Sequence, residues 1–118
     1  MKSNINIQIE LDEEKMPETI EWNAPGGGVD GYQQAKAMLI GFWDGQEKSA
    51  LRIDLWTKKM MVDEMNDFFY QTMMGMADTF TRATKNEDLA QELRTFASGF
   101  HKKAMDTLQK EEEKSGKG

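Results

Sequence analysis

The chain has 118 residues, no cysteine and a formal net charge of −6, from 15 Lys and Arg against 21 Asp and Glu. The length predicts one domain, the lack of cysteine excludes disulfides and thiolate metal sites, and the negative charge disfavours nucleic acid as a partner. The longest apolar run, residues 37–43, is too short to span a bilayer, and no signal-peptide core follows Met1. These features predict a cytoplasmic protein without direct membrane insertion.

Two strands are predicted first. Apolar and polar residues alternate from Asn4 to Leu11, which is the period-two pattern of a strand buried on one face. Residues 12–19 are typical of a turn, and Ile20 and Trp22 then resume the alternation. The sequence therefore predicts a β-hairpin.

A glycine-rich stretch, GGGVDG from Gly26 to Gly31, follows the hairpin and matches G-x-G-x-x-G. A dinucleotide site needs that motif between a buried parallel strand and a helix, whereas the preceding IEW is a brief, half-polar strand. Asp30 would also repel a phosphate. A flexible connector is favoured, and a small-ligand or nucleotide site that uses the Gly26–Gly31 loop is the alternative.

Residues 32–43 are ambiguous. QQAKAML is rich in helix formers, while LIGFW is aromatic and branched, so we predict a short helix that passes into a strand. ALRIDLWT, residues 50–57, alternates again and is expected to pair with LIGFWD in an antiparallel manner.

Two helices are predicted after residue 61 from a change of period to about 100° per residue. The first has an apolar stripe made of Val62, Met65, Phe69, Thr72, Met73, Met76 and Phe80. The second has a stripe made of Leu89, Leu93, Phe96, Ala97, Phe100 and Ala104. On these stripes, Met65, Met73 and Met76 are interpreted as core-filling residues.

The predicted elements describe an α+β fold, in which an antiparallel sheet of about four strands has one face covered by two C-terminal helices. Residues 1–108 are expected to form this single domain. The ending, residues 109–118, contains no apolar residue and is predicted to be a charged, disordered tail.

Catalytic chemistry is not indicated by any group of residues. His101 is the only histidine, so a histidine pair cannot hold a metal, and no serine has a neighbouring base or a G-x-S-x-G motif. We therefore expect no enzymatic activity, no metal and no cofactor.

Protein interfaces are the more promising sites. Arg52, Asp54 and Trp56 share the polar face of a predicted strand, and Trp and Arg are favoured anchors at interfaces. The alternative is that Arg52 and Asp54 pair with charges on neighbouring strands while Trp56 closes the edge of the core. Tyr70 and Met74 lie beside the first helical stripe and are predicted to form a contact surface, with core filling as the alternative.

The segment LRIDLWTKKMMVDEMNDFFYQTMMGMADTFTRAT, Leu51 to Thr84, closely resembles the gliding motility protein GldC family of the Bacteroidetes. The resemblance extends back through AKAMLIGFWD and NINIQIELDEEKMPETIEW, so it covers roughly residues 4–105. It implies a small, soluble accessory protein associated with gliding motility, and it carries no catalytic residue or cofactor to this chain. The implied partner is a protein, either of the gliding machinery or a second copy of the chain.

Overall fold

The computed structural model describes residues 1–116, with side chains described to residue 114. The chain divides into two compact units, Met1–Met60 and Met61–Gly118. The first unit contains five strands in two antiparallel sheets, and the second contains two helices. The α+β class is therefore confirmed, although five strands in two sheets replace the predicted sheet of about four. The single domain over residues 1–108 stays a prediction.

The three-stranded sheet has the order β1-β2-β3, with β1 at Asn6–Leu11, β2 at Pro17–Ala24 and β3 at Val29–Ala35. Its register places Ile9 opposite Ile20, so both side chains lie on one face of the sheet. Ile20 is only 2% exposed and is the largest fully buried side chain of the described chain. The alternation of the first two strands thus gave the correct hairpin.

The second sheet is a long hairpin formed by β4, Ala37–Asp44, and β5, Ser49–Trp56. This pairing was predicted, but the short helix in residues 32–43 was wrong, since only Lys36 separates β3 from β4. Backbone pairing of β3 with β2 outweighs the helix propensity of QQAKAML. The Lys36 carbonyl accepts hydrogen bonds from the N–H and hydroxyl of Thr57, at 2.8 and 3.0 Å, and this fixes the end of β5.

An ion pair ties the β1–β2 turn to the residues after β5. Lys58 Nζ lies 2.8 Å from Asp12 Oδ2, while Asp12 Oδ1 accepts hydrogen bonds from the backbone N–H groups of Glu14 and Met16. The Lys58 ammonium group, followed by the Met16 N–H, holds the pKa of Asp12 below its ordinary value. One carboxylate therefore organises the turn and links it to a distant part of the chain.

The helices are α1, Val62–Thr84, and α2, Glu87–Gly116. The Glu64 carboxylate accepts a hydrogen bond from the Met61 N–H at the start of α1, and Asn86 Oδ1 caps α2 by accepting from the Leu89 N–H. Lys85, with φ 61°, ends α1 in the left-handed conformation. Helix α2 continues through residues 109–116, where a disordered tail was predicted, and residues 117–118 lie outside the described chain.

The fully buried side chains at the contact between α1 and α2 are small. Ala77, Ala90 and Ala97 are fully buried, and we call this contact the alanine seam. Larger apolar residues of the predicted stripes, including Phe69, Met76 and Phe80, are exposed instead. The interpretation of Met76 as a core-filling residue is therefore wrong, whereas Met65 and Met73 are half-buried.

Arg94 links the two helices near their turn. Its guanidinium group lies 2.9 Å from Asp78 on α1 and 2.7 Å from Glu87 at the start of α2. Arg94, with a second hydrogen bond from the Thr81 hydroxyl, lowers the pKa of Glu87. The Arg94 side chain is largely covered, which makes these pairs less sensitive to salt than fully exposed ones.

Enlarging the alanine seam should destabilise the second unit. We expect Ala77→Leu to lower the free energy of unfolding by about 1–3 kcal/mol, because the added carbons have no space between the helices. Gln71→Leu is the matched control, since residue 71 is exposed on the same helix, and it should change stability by less than about 0.5 kcal/mol. Denaturant titration followed by circular dichroism measures both. Equal losses in the two variants would contradict the close contact at Ala77.

Acid should weaken both ion-pair systems. The folded pKa values of Asp12 and Glu87 lie below their unfolded values, so the stability that these groups contribute is complete above the unfolded pKa, about 4, and is lost as pH falls through the folded pKa. We expect the melting temperature to fall between about pH 5 and pH 2. The double variant Asp12→Asn, Glu87→Gln should show a smaller fall over that interval. An identical acid dependence would show that these pairs do not contribute.

Candidate interaction surfaces

The β4–β5 hairpin brings the strand residues predicted for an interface onto one face. Register places Arg52 opposite Gly41, Asp54 opposite Leu39, and Trp56 opposite Ala37, and side chains opposite each other share a face. Trp43, opposite Ala50, joins them. We call Trp43, Arg52, Asp54 and Trp56 the tryptophan face.

Arg52 and Asp54 bind each other on this face. The Arg52 Nη2 and Nε atoms lie 3.0 and 3.2 Å from the two carboxylate oxygens of Asp54, which is a bidentate pair. The alternative considered from the sequence was that Arg52 and Asp54 pair with charges on neighbouring strands. The observed pair instead joins the two residues within β5. Arg52 Nη1 would lie 3.5 Å from a Cβ atom at Gly41, so the guanidinium group rests above that glycine.

Both tryptophans of this face are open to solvent. Trp43 is 69% exposed and Trp56 is 59% exposed, so Trp56 does not close a core edge as the alternative had it. The interface predicted from the sequence does not include Trp43. Its place in the alternation of β4, together with the pairing of LIGFWD with ALRIDLWT, puts it on the same face as Arg52. Two exposed indoles around a charged pair are the composition that interfaces favour.

The opposite face of the same hairpin is apolar. Its side chains belong to Met38, Ile40, Phe42, Leu51, Ile53 and Leu55. Phe42, Leu51 and Ile53 are exposed, while the other three are half-buried. The hairpin therefore presents large side chains in both directions.

Tyr70 and Met74 lie on α1 and are both half-buried. The Tyr70 ring lies against the imidazole of His101 on α2, with 4.8 Å between the ring centroids. His101 Nε2 is in turn 2.8 Å from Asp67 Oδ1. Tyr70 and Met74 therefore belong to the second unit, whereas the tryptophan face belongs to the first. Tyr70 makes its ring contact within the helical pair. Their role at an interface stays a prediction.

The largest set of exposed apolar side chains in the second unit lies beside the alanine seam. It comprises Val62, Phe69, Met76 and Phe80 of α1 with Leu89, Phe96 and Phe100 of α2, and we call it the helical apolar face. Spacings of seven and four residues align each set along its helix. Val62 and Phe100 line one shared groove with Ala104 and Leu108, which places the two rows on the same side of the helical pair.

The Gly26–Gly31 stretch joins antiparallel strands. Pro25–Gly27 forms a short 3-10 turn, Gly28 has φ 89°, and Gly31 already lies in β3. No helix follows the motif, whereas a dinucleotide fingerprint places its pyrophosphate at a helix N-terminus. A Cβ atom at Gly26 would lie 2.5 Å from the Ser3 hydroxyl, so the Ser3 side chain would have to move if residue 26 had a side chain.

Among residues 1–116, no group of three or more His, Cys, Asp or Glu side chains is arranged to hold a metal ion. Neither helix, over the part that the structure describes, is long and apolar enough to cross a membrane.

A family model described as gliding motility-associated protein GldC-like matches residues 17–106, which is more than half of the chain. No curated protein and no solved structure matches.

The geometry of the glycine stretch predicts the outcome of a ligand screen. Nucleotides should leave the melting temperature unchanged, because the turn lacks the helix N-terminus on which such phosphates rest. A ligand present at 100 times its dissociation constant would add about 2.7 kcal/mol of stability. A reproducible rise in the melting temperature that is abolished by Gly28→Ala would contradict our interpretation of the stretch as a connector.

Proposed function

The chain belongs to the GldC-like family of gliding motility-associated proteins, and from this premise we propose that it is a non-enzymatic accessory protein that binds a protein partner in gliding motility. The tryptophan face is the surface that engages the partner. The protein acts in the cytoplasm, and the lack of cysteine fits that reducing compartment.

The observation that carries this proposal is the exposure of Trp43 and Trp56 on one face of a hairpin. An indole that is left in water forgoes the stabilisation it would gain on burial, which for a large apolar side chain is about 1.5–3 kcal/mol. A partner that covers both rings regains that stabilisation. The surface is therefore suited to association more than to chemistry.

Arg52 and Asp54 add specificity to this surface. Once a partner excludes water, the guanidinium group and the carboxylate need every hydrogen bond they can make, and their mutual pair already satisfies part of that need. The donors and acceptors that remain free require matching groups on the partner. A protein that offers a flat apolar patch with a few polar groups between its ends fits this description.

A motility assay tests the role of the protein. We expect the wild-type chain to restore colony spreading to a gliding bacterium from which the native family member has been deleted. The double variant Arg52→Ala, Trp56→Ala should fail to restore it, because truncation of two anchors weakens binding about 30-fold or more. Affinity capture from the same cells should recover the partner with the wild type and lose it with the variant.

Met16→Ala is the matched control, since Met16 is another exposed apolar residue of the first unit that lies in the β1–β2 turn. It should spread like the wild type. All three proteins should unfold at similar temperatures, because the replaced side chains are exposed. Normal spreading by the double variant would remove the tryptophan face from the proposal, and failure of the wild-type chain to restore spreading would contradict the motility role.

A further inference from the structure

The helical apolar face points to a second interface, and we infer that it binds the same face of a second copy of this chain. Two helical pairs then form a four-helix bundle around a two-fold axis. The inference goes beyond the proposed function and does not depend on it. It differs from that function in its residues and in its partner.

The first argument is the difference in side-chain size between the buried contact of the helices and the exposed face beside it. The alanine seam holds α1 and α2 together with small side chains, while the face beside it carries four phenylalanines with a methionine, a valine and a leucine. Phe96 and Phe100 stack along α2 with 6.0 Å between their ring centroids. Aromatic residues and methionine are the residues that interface cores favour.

The area of the face is the second argument. Its seven side chains are each between 38% and 62% exposed. With about 200 Å² for a large apolar side chain, they leave roughly 700 Å² open to solvent. A stable interface takes about 800 Å² from each partner, whereas the largest apolar patch on an ordinary monomer is about 300–600 Å². Two copies together therefore supply an area of the size that a dimer needs.

Charge is the third argument, and it favours a second copy over a partner of opposite charge. The apolar row of α1 from Val62 to Phe80 contains no charged residue at its seven- and four-residue spacings. This row therefore offers no charge for a basic or acidic partner to recognise, and the groove beside Val62 and Phe100 is bordered by charges of opposite sign, Lys103 and Glu111. The row's own counterpart in a second copy has the same length and the same lack of charge, so the pairing is self-complementary.

The acidic residues at one end of the helical pair set the orientation. Asp63 and Glu64 begin α1, and near the end of α2 Glu111, Glu112 and Glu113 outnumber the flanking Lys110 and Lys114. The end of the helical pair that lies farthest from the turn therefore carries a net negative charge. Placing two such ends side by side would bring like charges together. The antiparallel arrangement separates them by the length of the bundle, and we assign that arrangement to the pair.

Analytical ultracentrifugation of the full chain tests the pairing. At roughly 10–100 µM the wild type should sediment as a dimer, with twice the chain mass of 13.5 kDa. Phe96→Glu should weaken the dimer about 30-fold or more, because it places a charge in the centre of the interface. Thr95→Glu is the matched control, since residue 95 is exposed on another side of α2, and it should leave the dimer intact.

The results separate the inference from its rivals. A wild type that is monomeric throughout this range overturns the pairing. A monomer in which Phe96→Glu sharply lowers the melting temperature overturns it in favour of intramolecular cover of the face. Neither result bears on the motility role, which the spreading assay with tryptophan-face variants tests separately.

A distance measurement tests the orientation. The chain has no cysteine, so Thr107→Cys introduces a single site for a spin label near the acidic end of the face. In the antiparallel dimer each label lies about nine helical residues from the middle of the face, on opposite sides of it. The two offsets together span about 27 Å, so the labels should be more than about 25 Å apart. A separation below about 15 Å would indicate the parallel arrangement and overturn this part of the inference.

Discussion

The close contact of α1 and α2 through alanine is the constraint on which the second unit depends. Alanine at three buried positions lets the helix backbones approach, and at those positions it leaves no room for larger side chains. The rings of Phe69, Phe80, Phe96 and Phe100 lie to one side instead. If phenylalanine occupied the buried positions, its rings would form the core of the helical pair. Alanine at those positions therefore accounts both for the narrow contact and for the exposed face beside it.

The sequence predicted the strands whose apolar residues alternate and failed where propensity competed with pairing. The alternation in residues 4–11 and 50–57 is a local pattern that each segment contains by itself. It was sufficient to predict β1 and β5. Residues 33–35 have the composition of a helix, yet β2 pairs with them along the backbone, with Gln33 opposite Trp22, Gln34 opposite Glu21 and Ala35 opposite Ile20. Pairing of this kind depends on residues that are distant in sequence, which a local pattern does not contain.

The candidate surfaces show a second limit of sequence patterns. A stripe such as Phe69, Met76 and Phe80 shows that one side of a helix is apolar, but it does not show what covers that side. We interpreted Met76 as part of the core, and it is exposed because Ala77 forms the contact instead. On β5, by contrast, the face shared by Arg52, Asp54 and Trp56 followed directly from the period of a strand, and register added Trp43.

The internal pairing of Arg52 with Asp54 also affects how fast a partner can arrive. Opposite charges held 3.0 Å apart within one strand cancel at a distance, so this face contributes little to the electric field that guides an approaching molecule. Encounter then depends on random diffusion and on the orientation in which the two molecules meet. The Arg52–Asp54 pair itself should accordingly add little to the salt dependence of the association rate, which arises from charges elsewhere on the two molecules.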